Sequence, residues 1–246
     1  MEVEYIVVGF GLAGMAFVNT LEKHQKSFVV FEDASQTSSN VAGGVYNPIV
    51  LKRFTPVWQG DRQLKEAIPF YEELENRFQA IYDYKFETAR IFTSVEEQNN
   101  WYVASERPLL RPYLEDEITT KKHPGFSSDF GMGKVKKTGR IDVKRLLEDY
   151  KNYLTSEQNF FFESFVYSEI DFLENGISYR GIKSKKIIFC EGFGMRKNPF
   201  FSQLPMRGAK GEIVTIFAPE LDVDFLIKSS VFVLPIGDHC YKEGAT

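Results

Sequence analysis

The strongest chemical signal in the chain is the run Gly9-Phe-Gly11-Leu-Ala-Gly14. It follows an apolar stretch, Tyr5 to Val8, and opens a segment of helical periodicity, the setting in which a glycine triplet points to a dinucleotide. Gly9 permits a tight turn, Gly11 lets the backbone approach a pyrophosphate, and Gly14 lets helix and strand pack closely. Leu12 and Ala13 begin the helix, whose first N–H groups and partial positive charge, about half an elementary unit, face the phosphates. Glu32 ends the next apolar run, Phe28 to Phe31, where a carboxylate can accept hydrogen bonds from ribose hydroxyls and repel a 2′-phosphate. Asp33 is counted with it. This pattern disfavours NADP and leaves FAD and NAD both open.

A Ser, Asn and Gly-rich loop, residues 35–44, comes next. Gly43 and Gly44 leave room for a flat ring against the backbone, and Ser39 and Asn47 can supply hydrogen bonds. Lys52, Arg53, Arg207 and Lys210 are cations able to hold a substrate carboxylate; ordinary surface charge is the competing reading. Tyr46 reads as a cavity wall or packing residue rather than an acid. His24 suits the end of the first helix, while His123 and His239 fall in turns and form no ligand pattern. Cys190 reads as a buried, strand-borne apolar residue. No metal site is expected.

The elements that must carry these residues follow from periodicity. Tyr5 to Val8 and Phe28 to Phe31 predict buried parallel strands, with Ala13, Ala16, Phe17, Thr20 and Leu21 marking a helix between them. A helix is expected over 62–81, striped by Leu64, Ile68, Tyr71, Leu74 and Phe78. Short strands and loops are expected from Asp83 to Gly139, then a helix capped by Asp142 that buries Val143, Leu146, Leu147, Tyr150 and Leu154. A strand at Phe160 to Phe162, a hairpin at Asn175-Gly176 and a strand at 186–190 come next, then strands at 212–217, 225–228 and 231–234.

Composition narrows the function classes. With 246 residues, 43% of them hydrophobic, the chain can fill a substantial core, and its net charge of −4 without a basic block gives no broad footprint for nucleic acid. The start shows no basic n-region or apolar h-region, and no run approaches the roughly 18 apolar residues of a membrane span. Cys190 and Cys240 lack metal-ligand spacing and read as free thiols of a cytoplasmic protein.

Ser38-Ser-Asn-Val-Ala-Gly-Gly-Val-Tyr-Asn-Pro48 resembles the loop of the D-amino-acid oxidase and glycine oxidase superfamily that runs along the pyrophosphate and flavin of FAD. Ala42 to Pro48 is most similar to the oxidase part of the bifunctional enzyme that makes 5-methylaminomethyl-2-thiouridine in tRNA. The resemblance implies that Asn40, Ala42 and Val45 join Ser39, Gly43, Gly44 and Asn47 at the cofactor. It further implies that the backbone of Val166 covers the adenine and that Glu191 and Gly192 lie near the phosphates. Lys210-Gly-Glu212 resembles the step into the substrate domain, and Phe232 to Gly237 with Gly244-Ala-Thr246 resembles the roof of the substrate site. Family members run on for roughly another 100 residues, about a small domain, so the chain is expected to be either a fragment or a truncated relative.

The implied fold is α/β: an FAD/NAD(P)-binding Rossmann-like domain with a parallel sheet (1–82 and 140–204), interleaved with a mainly antiparallel β-sheet substrate domain (83–139 and 205–246). The implied reaction passes a hydride from the carbon beside a neutral amine to flavin N5. Water then hydrolyses the imine, and oxygen reoxidises the flavin to give hydrogen peroxide. The partner is a small amine or amino acid; tRNA is disfavoured by the acidic balance, and neither membrane nor metal is called for. The competing readings are an NAD-dependent Rossmann enzyme and a truncated, non-catalytic nucleotide-binding protein.

Overall fold

In a computed structural model of the chain, residues 1–244 are described; Ala245 and Thr246, part of the expected Gly244-Ala-Thr246 roof, lie outside them. The chain begins β1 (Glu2–Val8), α1 (Leu12–Lys23), β2 (Phe28–Phe31) and a single helical turn α2 (Ser38–Val41). Three two-residue strands, β3 (Val45–Tyr46), β4 (Ile49–Val50) and β5 (Thr55–Pro56), lead to α3 (Gly60–Phe78), β6 (Asp83–Ile91), α4 (Val95–Ser105), β7 (Leu114–Thr119) and β8 (Met132–Ile141). Next come α5 (Val143–Ser156), β9 (Phe160–Phe161), β10 (Ile170–Leu173), β11 (Gly176–Tyr179) and β12 (Ile182–Phe189). The last elements are β13 (Ile213–Phe217), β14 (Leu226–Lys228), β15 (Phe232–Gly237) and β16 (Cys240–Gly244).

The chain divides into two compact units, the first of residues 1–42 and 143–209, the second of 43–142 and 210–246. The first unit holds a sheet in the order β10-β11-β12-β1-β2-β9, in which β12, β1, β2 and β9 are parallel neighbours. Counted in chain order, those four strands stand third, second, first, fourth from one side to the other, the doubly wound arrangement. Val29, Phe31, Ile6 and Val8 face residues of β11 and β12 in its core. Runs of β-branched and aromatic residues form these strands because both faces are covered, which is why β2 is buried at all four positions.

The second unit is built on a sheet in the order β13-β16-β15-β14-β6-β8-β3, with β7 also on β8; its pairings are antiparallel except that of β14 with β6. Its larger core cluster packs Ile49, Leu51 and Phe54 against Trp101, Leu114 and Val135.

Two differences from the sequence expectation have clear causes. Residues 43–82, expected with the nucleotide domain, belong to the second unit. Val45 and Tyr46 pair with Arg140 and Gly139, Phe54 packs edge-on to Trp101 at 5.3 Å, and Tyr113 Oη donates to Asp61 on α3 at 2.7 Å. The stretch expected to hold only short strands and loops contains α4, begun where Ser94 Oγ accepts the Glu97 N–H at 3.1 Å. The Ser-x-x-Glu spacing of a capping box was present there to be read. No helix among the described residues is long and apolar enough to cross a membrane.

Candidate functional site

The carboxyl ends of β1, β2 and β12 open onto a recess of about 630 Å³ formed within the first unit. In doubly wound sheets this is where ligands bind, at the point where strand order reverses beside the first strand. Its size falls within the roughly 300–1,000 Å³ of small-molecule sites. Val8, Gly9, Phe31, Glu32, Cys190 and Glu191 line it from the strand ends.

The turn after β1 is set by steric exclusion. A Cβ on Gly14 would stand 2.1 Å from the Gly9 carbonyl oxygen, and one on Gly9 would stand 2.5 Å from the Cys190 carbonyl oxygen, so neither position admits a side chain. Phe10, buried, packs edge-on to Tyr150 and Phe160 and pins the turn from behind. Gly11 differs from its neighbours. The nearest atom to a Cβ there is the Ser39 hydroxyl, at 3.0 Å, so the backbone stays approachable from the recess. Gly11, Leu12 and Ala13 line the recess where α1 begins, and the first N–H groups of a helix have no partner within it. One of them, that of Leu12, is donated to Ser39 Oγ at 3.3 Å.

Glu32 joins this turn to the next. One carboxylate oxygen accepts the Phe10 N–H and the other accepts the Ala34 N–H at 2.6 Å, which fixes the side chain at the mouth of β2 while leaving further lone pairs for ligand hydroxyls. Asp33 accepts from the Ser35 N–H at 2.9 Å and from Ser164 Oγ at 2.7 Å. Hydrogen bonding by Ser35, reinforced by Ser164, holds its carboxyl below the usual range. On the far side, Glu191 accepts from Tyr167 Oη and from Asn198 Nδ2 at 2.7 Å, and Asn198 itself is fully buried. Burial, then the Glu191 carboxylate, raises the Tyr167 phenol, so it stays a donor. Gly192, at φ +53°, has no atom within 4 Å of its Cβ position and presents bare backbone. Lys197 is the one cation among the described lining residues of a recess otherwise carrying Glu32, Asp33, Glu163 and Glu191, and Glu163 is already paired with Arg180 at 2.8 Å. A glycine cradle with helix N–H donors for phosphates, and carboxylates for hydroxyls, fits the ADP portion of a dinucleotide.

The structure thus brings together Gly9, Gly11, Leu12, Ala13, Glu32, Asp33, Ser39, Glu191 and Gly192, with Gly14 packed behind them. Asn40 is exposed on α2, and neither it nor Ala42 lines the recess. Val166 does not line it either: its N–H donates to Tyr179 Oη at 3.0 Å and its carbonyl accepts the Glu169 N–H. Phe165 and Tyr167, on either side of it, do line the recess, Tyr167 as the first residue of a short 3-10 turn. Cys190 is half-buried at the recess just beyond β12 rather than inside a strand. Burial, then Glu191, raises its thiol, which disfavours the nucleophilic thiolate.

Several candidates belong to the second unit. Gly44, at φ +70°, lies so close to β8 that a Cβ would stand 2.0 Å from the Ile141 carbonyl oxygen, so the chain's own packing already requires a glycine there. Gly43 meets Leu234, and Val45 is paired in β3. Asn47 Oδ1 accepts the Ile49 N–H at 2.8 Å and closes its own turn. Tyr46 Oη donates to Asp83 at 2.8 Å; burial and that carboxylate push the phenol up, so it packs and donates rather than acting as an acid. Lys210 forms an exposed ion pair with Glu212, which is surface charge. Arg53 and Lys52 line another recess, within that unit. The sequence reading missed Gln36, Glu163, Met195 and Lys197, which come from turns whose side-chain directions no periodicity reports.

The sequence matches no protein-family model. Among solved structures, the chain is similar to glycine oxidase from Geobacillus kaustophilus at 18% identity, covering 100% of this chain and 71% of that one with a TM-score of 0.78. Iminodiacetate oxidase from Chelativorans sp. BNC1 aligns at 13% identity over 99% of this chain and 71% of its own, TM-score 0.74. A dithionite-reduced L-α-glycerophosphate oxidase from Mycoplasma pneumoniae, with FAD bound, aligns at 17% identity over 100% of this chain and 71% of its own, TM-score 0.63. The fold is therefore that of these oxidases: α/β, with a Rossmann-like parallel sheet and a second, mainly antiparallel sheet.

Proposed function

We propose that the chain binds FAD in the recess of its first unit and oxidises the C–N bond of a small amine or amino acid. The observation that supports this most is the glycine turn at the strand-order reversal, open at Gly11 and flanked by Glu32. The likeness to two oxidases named for amino substrates supports this reaction class.

In this reading the first unit is the cofactor domain and the second the substrate domain. The α1 N-terminus at Gly11, Leu12 and Ala13 holds the pyrophosphate. Glu32, fixed by two backbone donors, accepts from ribose hydroxyls, and its charge, with Asp33 beside it, excludes a 2′-phosphate. Glu191 is held in place by Tyr167 and Asn198, and its lone pairs and the open backbone of Gly192 face the ligand. When bound, FAD supplies a two-electron acceptor for the hydride beside the amine nitrogen. The net charge of −4 favours a free small amine over one carried on tRNA, and two free thiols favour the cytoplasm.

The visible spectrum of the purified chain, before and after FAD addition and gel filtration, tests the cofactor. Flavin bands that stay with the protein support the reading, and a chain that takes up no FAD refutes it. Peroxide release from a panel of glycine, sarcosine and iminodiacetate then tests the reaction; a flavin-loaded chain oxidising none of them would leave a nucleotide-binding protein in place of an oxidase.

A further inference from the structure

Within the second unit a recess of about 430 Å³ runs along one face of α4. Glu96, Asn100, Ala104 and Arg107 line it at spacings of three or four, one stripe along the helix and its C-terminal continuation. The opposite wall is the turn carrying Lys52, Arg53 and Phe54. That turn is anchored: the Arg53 N–H donates to the Val50 carbonyl at 3.0 Å, and Phe54, at φ +47°, buries its ring against Trp101 of α4.

The charge in this recess is unbalanced. Lys52, Arg53 and Arg107 form no ion pair among the described residues, although Lys65, Lys85, Arg90 and Lys134 of the same unit all do. Of the two acids present, Glu97 is already committed. One of its oxygens accepts from Arg90 Nε at 2.8 Å, and the other from the Thr93 N–H at 2.8 Å and Thr93 Oγ1 at 3.0 Å. Only Glu96 opposes three cations. Two guanidinium forks, an ammonium and the Asn100 amide NH2 give an excess of donors, with Glu96 as the one carboxylate among the described lining residues not already committed. We propose that this groove is an anion subsite that takes a small oligophosphate, a ligand independent of the dinucleotide assigned to the first unit. Phosphate oxygens match the planar fork of Arg in pairs, and the groove's size together with the chain's acidic balance favours a free small molecule over a nucleic-acid backbone.

Calorimetric titration of inorganic tripolyphosphate into the full chain tests this, with wild type compared against the double variant Arg53→Gln/Arg107→Gln and against Lys197→Gln in the first unit. Binding that weakens at least about tenfold in the double variant, and by less both in Lys197→Gln and in Arg53→Lys, which keeps the charge but loses the fork, supports the subsite, since each charge-assisted contact is worth a factor of ten or more. Circular dichroism of each variant confirms that it is folded. No heat from wild type at millimolar tripolyphosphate, or equal affinity in the double variant, would overturn it. Tighter binding of a short single-stranded RNA than of tripolyphosphate would overturn the small-ligand assignment. Weakening in Lys197→Gln with no change in the Arg53→Gln/Arg107→Gln double variant would place the bound tripolyphosphate in the first-unit recess and overturn the subsite.

Discussion

Two glycine-rich turns, Gly9 to Gly14 in the first unit and Gly43-Gly44 in the second, look equally suited to a ligand in the sequence and differ in the structure. In the first turn, Gly9 and Gly14 are excluded from carrying a side chain by backbone carbonyls, while Gly11 borders only the end of a serine hydroxyl. In the second, the Cβ position of Gly44 is closed by the Ile141 carbonyl, whose own residue donates its N–H to the Gly44 carbonyl at 3.0 Å. A missing side chain leaves a space that either a ligand or the chain can fill, and only the packing tells which. The comparison separates glycines needed for folding from glycines needed for binding.

The largest effect is expected from Gly14→Val, which drives a branched side chain into the Gly9 carbonyl. Stability should fall by about 3 kcal/mol or more, and FAD retention should vanish with it in thermal melts and gel filtration. Gly44→Ala should cost about 2–3 kcal/mol, from positive φ plus the clash, yet the folded fraction should bind FAD with wild-type affinity. A large loss of affinity there, at full stability, would break the contrast. Gly11→Ala should reverse the pattern: less than about 1 kcal/mol in the melt, because a hydroxyl can rotate away, but at least about tenfold weaker FAD binding by fluorescence quenching.

The smallest effects concern two carboxylates shifted in opposite directions. Asp33 in the first unit is held by Ser35 below the ordinary aspartate value of 3.8, so it adds stability above that value that is lost as pH falls through its lower folded value. Asp83 in the second unit is raised, chiefly by burial, and its Oδ2 is buried without a hydrogen-bond partner among the described residues. Its contribution is fully present below pH 3.8 and is lost as pH rises through its higher folded value. Melts between pH 3 and 7 should therefore show Asp33→Asn flattening the acid limb and Asp83→Asn removing a loss of stability on the way up to neutral pH. Both shifts should be small, since each side chain retains solvent.

What could be read from the sequence was what repeats or excludes. β2 was expected over Phe28 to Phe31 and occupies those residues, because four consecutive buried positions leave no amphipathic alternative. The hairpin at Asn175-Gly176 was likewise visible, since Gly176 sits at φ +141° where few side chains are tolerated. The glycine turn and Glu32 were legible for the same reason. Val166 was placed by resemblance alone, and its neighbours Phe165 and Tyr167, which do line the recess, lead into a 3-10 turn that no strand or helix periodicity announces. The placement of 43–82 was illegible because β3 is two residues long and its partner, β8, lies over 90 residues away, so no local pattern records the pairing.

That first unit is assembled from both ends of an interrupted stretch of chain. Val3 pairs with Ser184, 181 positions further on. At 5–20 residues per second a ribosome needs roughly 10–40 s to deliver the second strand after the first. Throughout that interval β1, with Ile6, Val7 and Val8 destined for burial, has one open edge and no mate for it. A chain of this topology is therefore a natural client for holding chaperones during synthesis, and slowing translation within 43–142 should lengthen its exposure to aggregation.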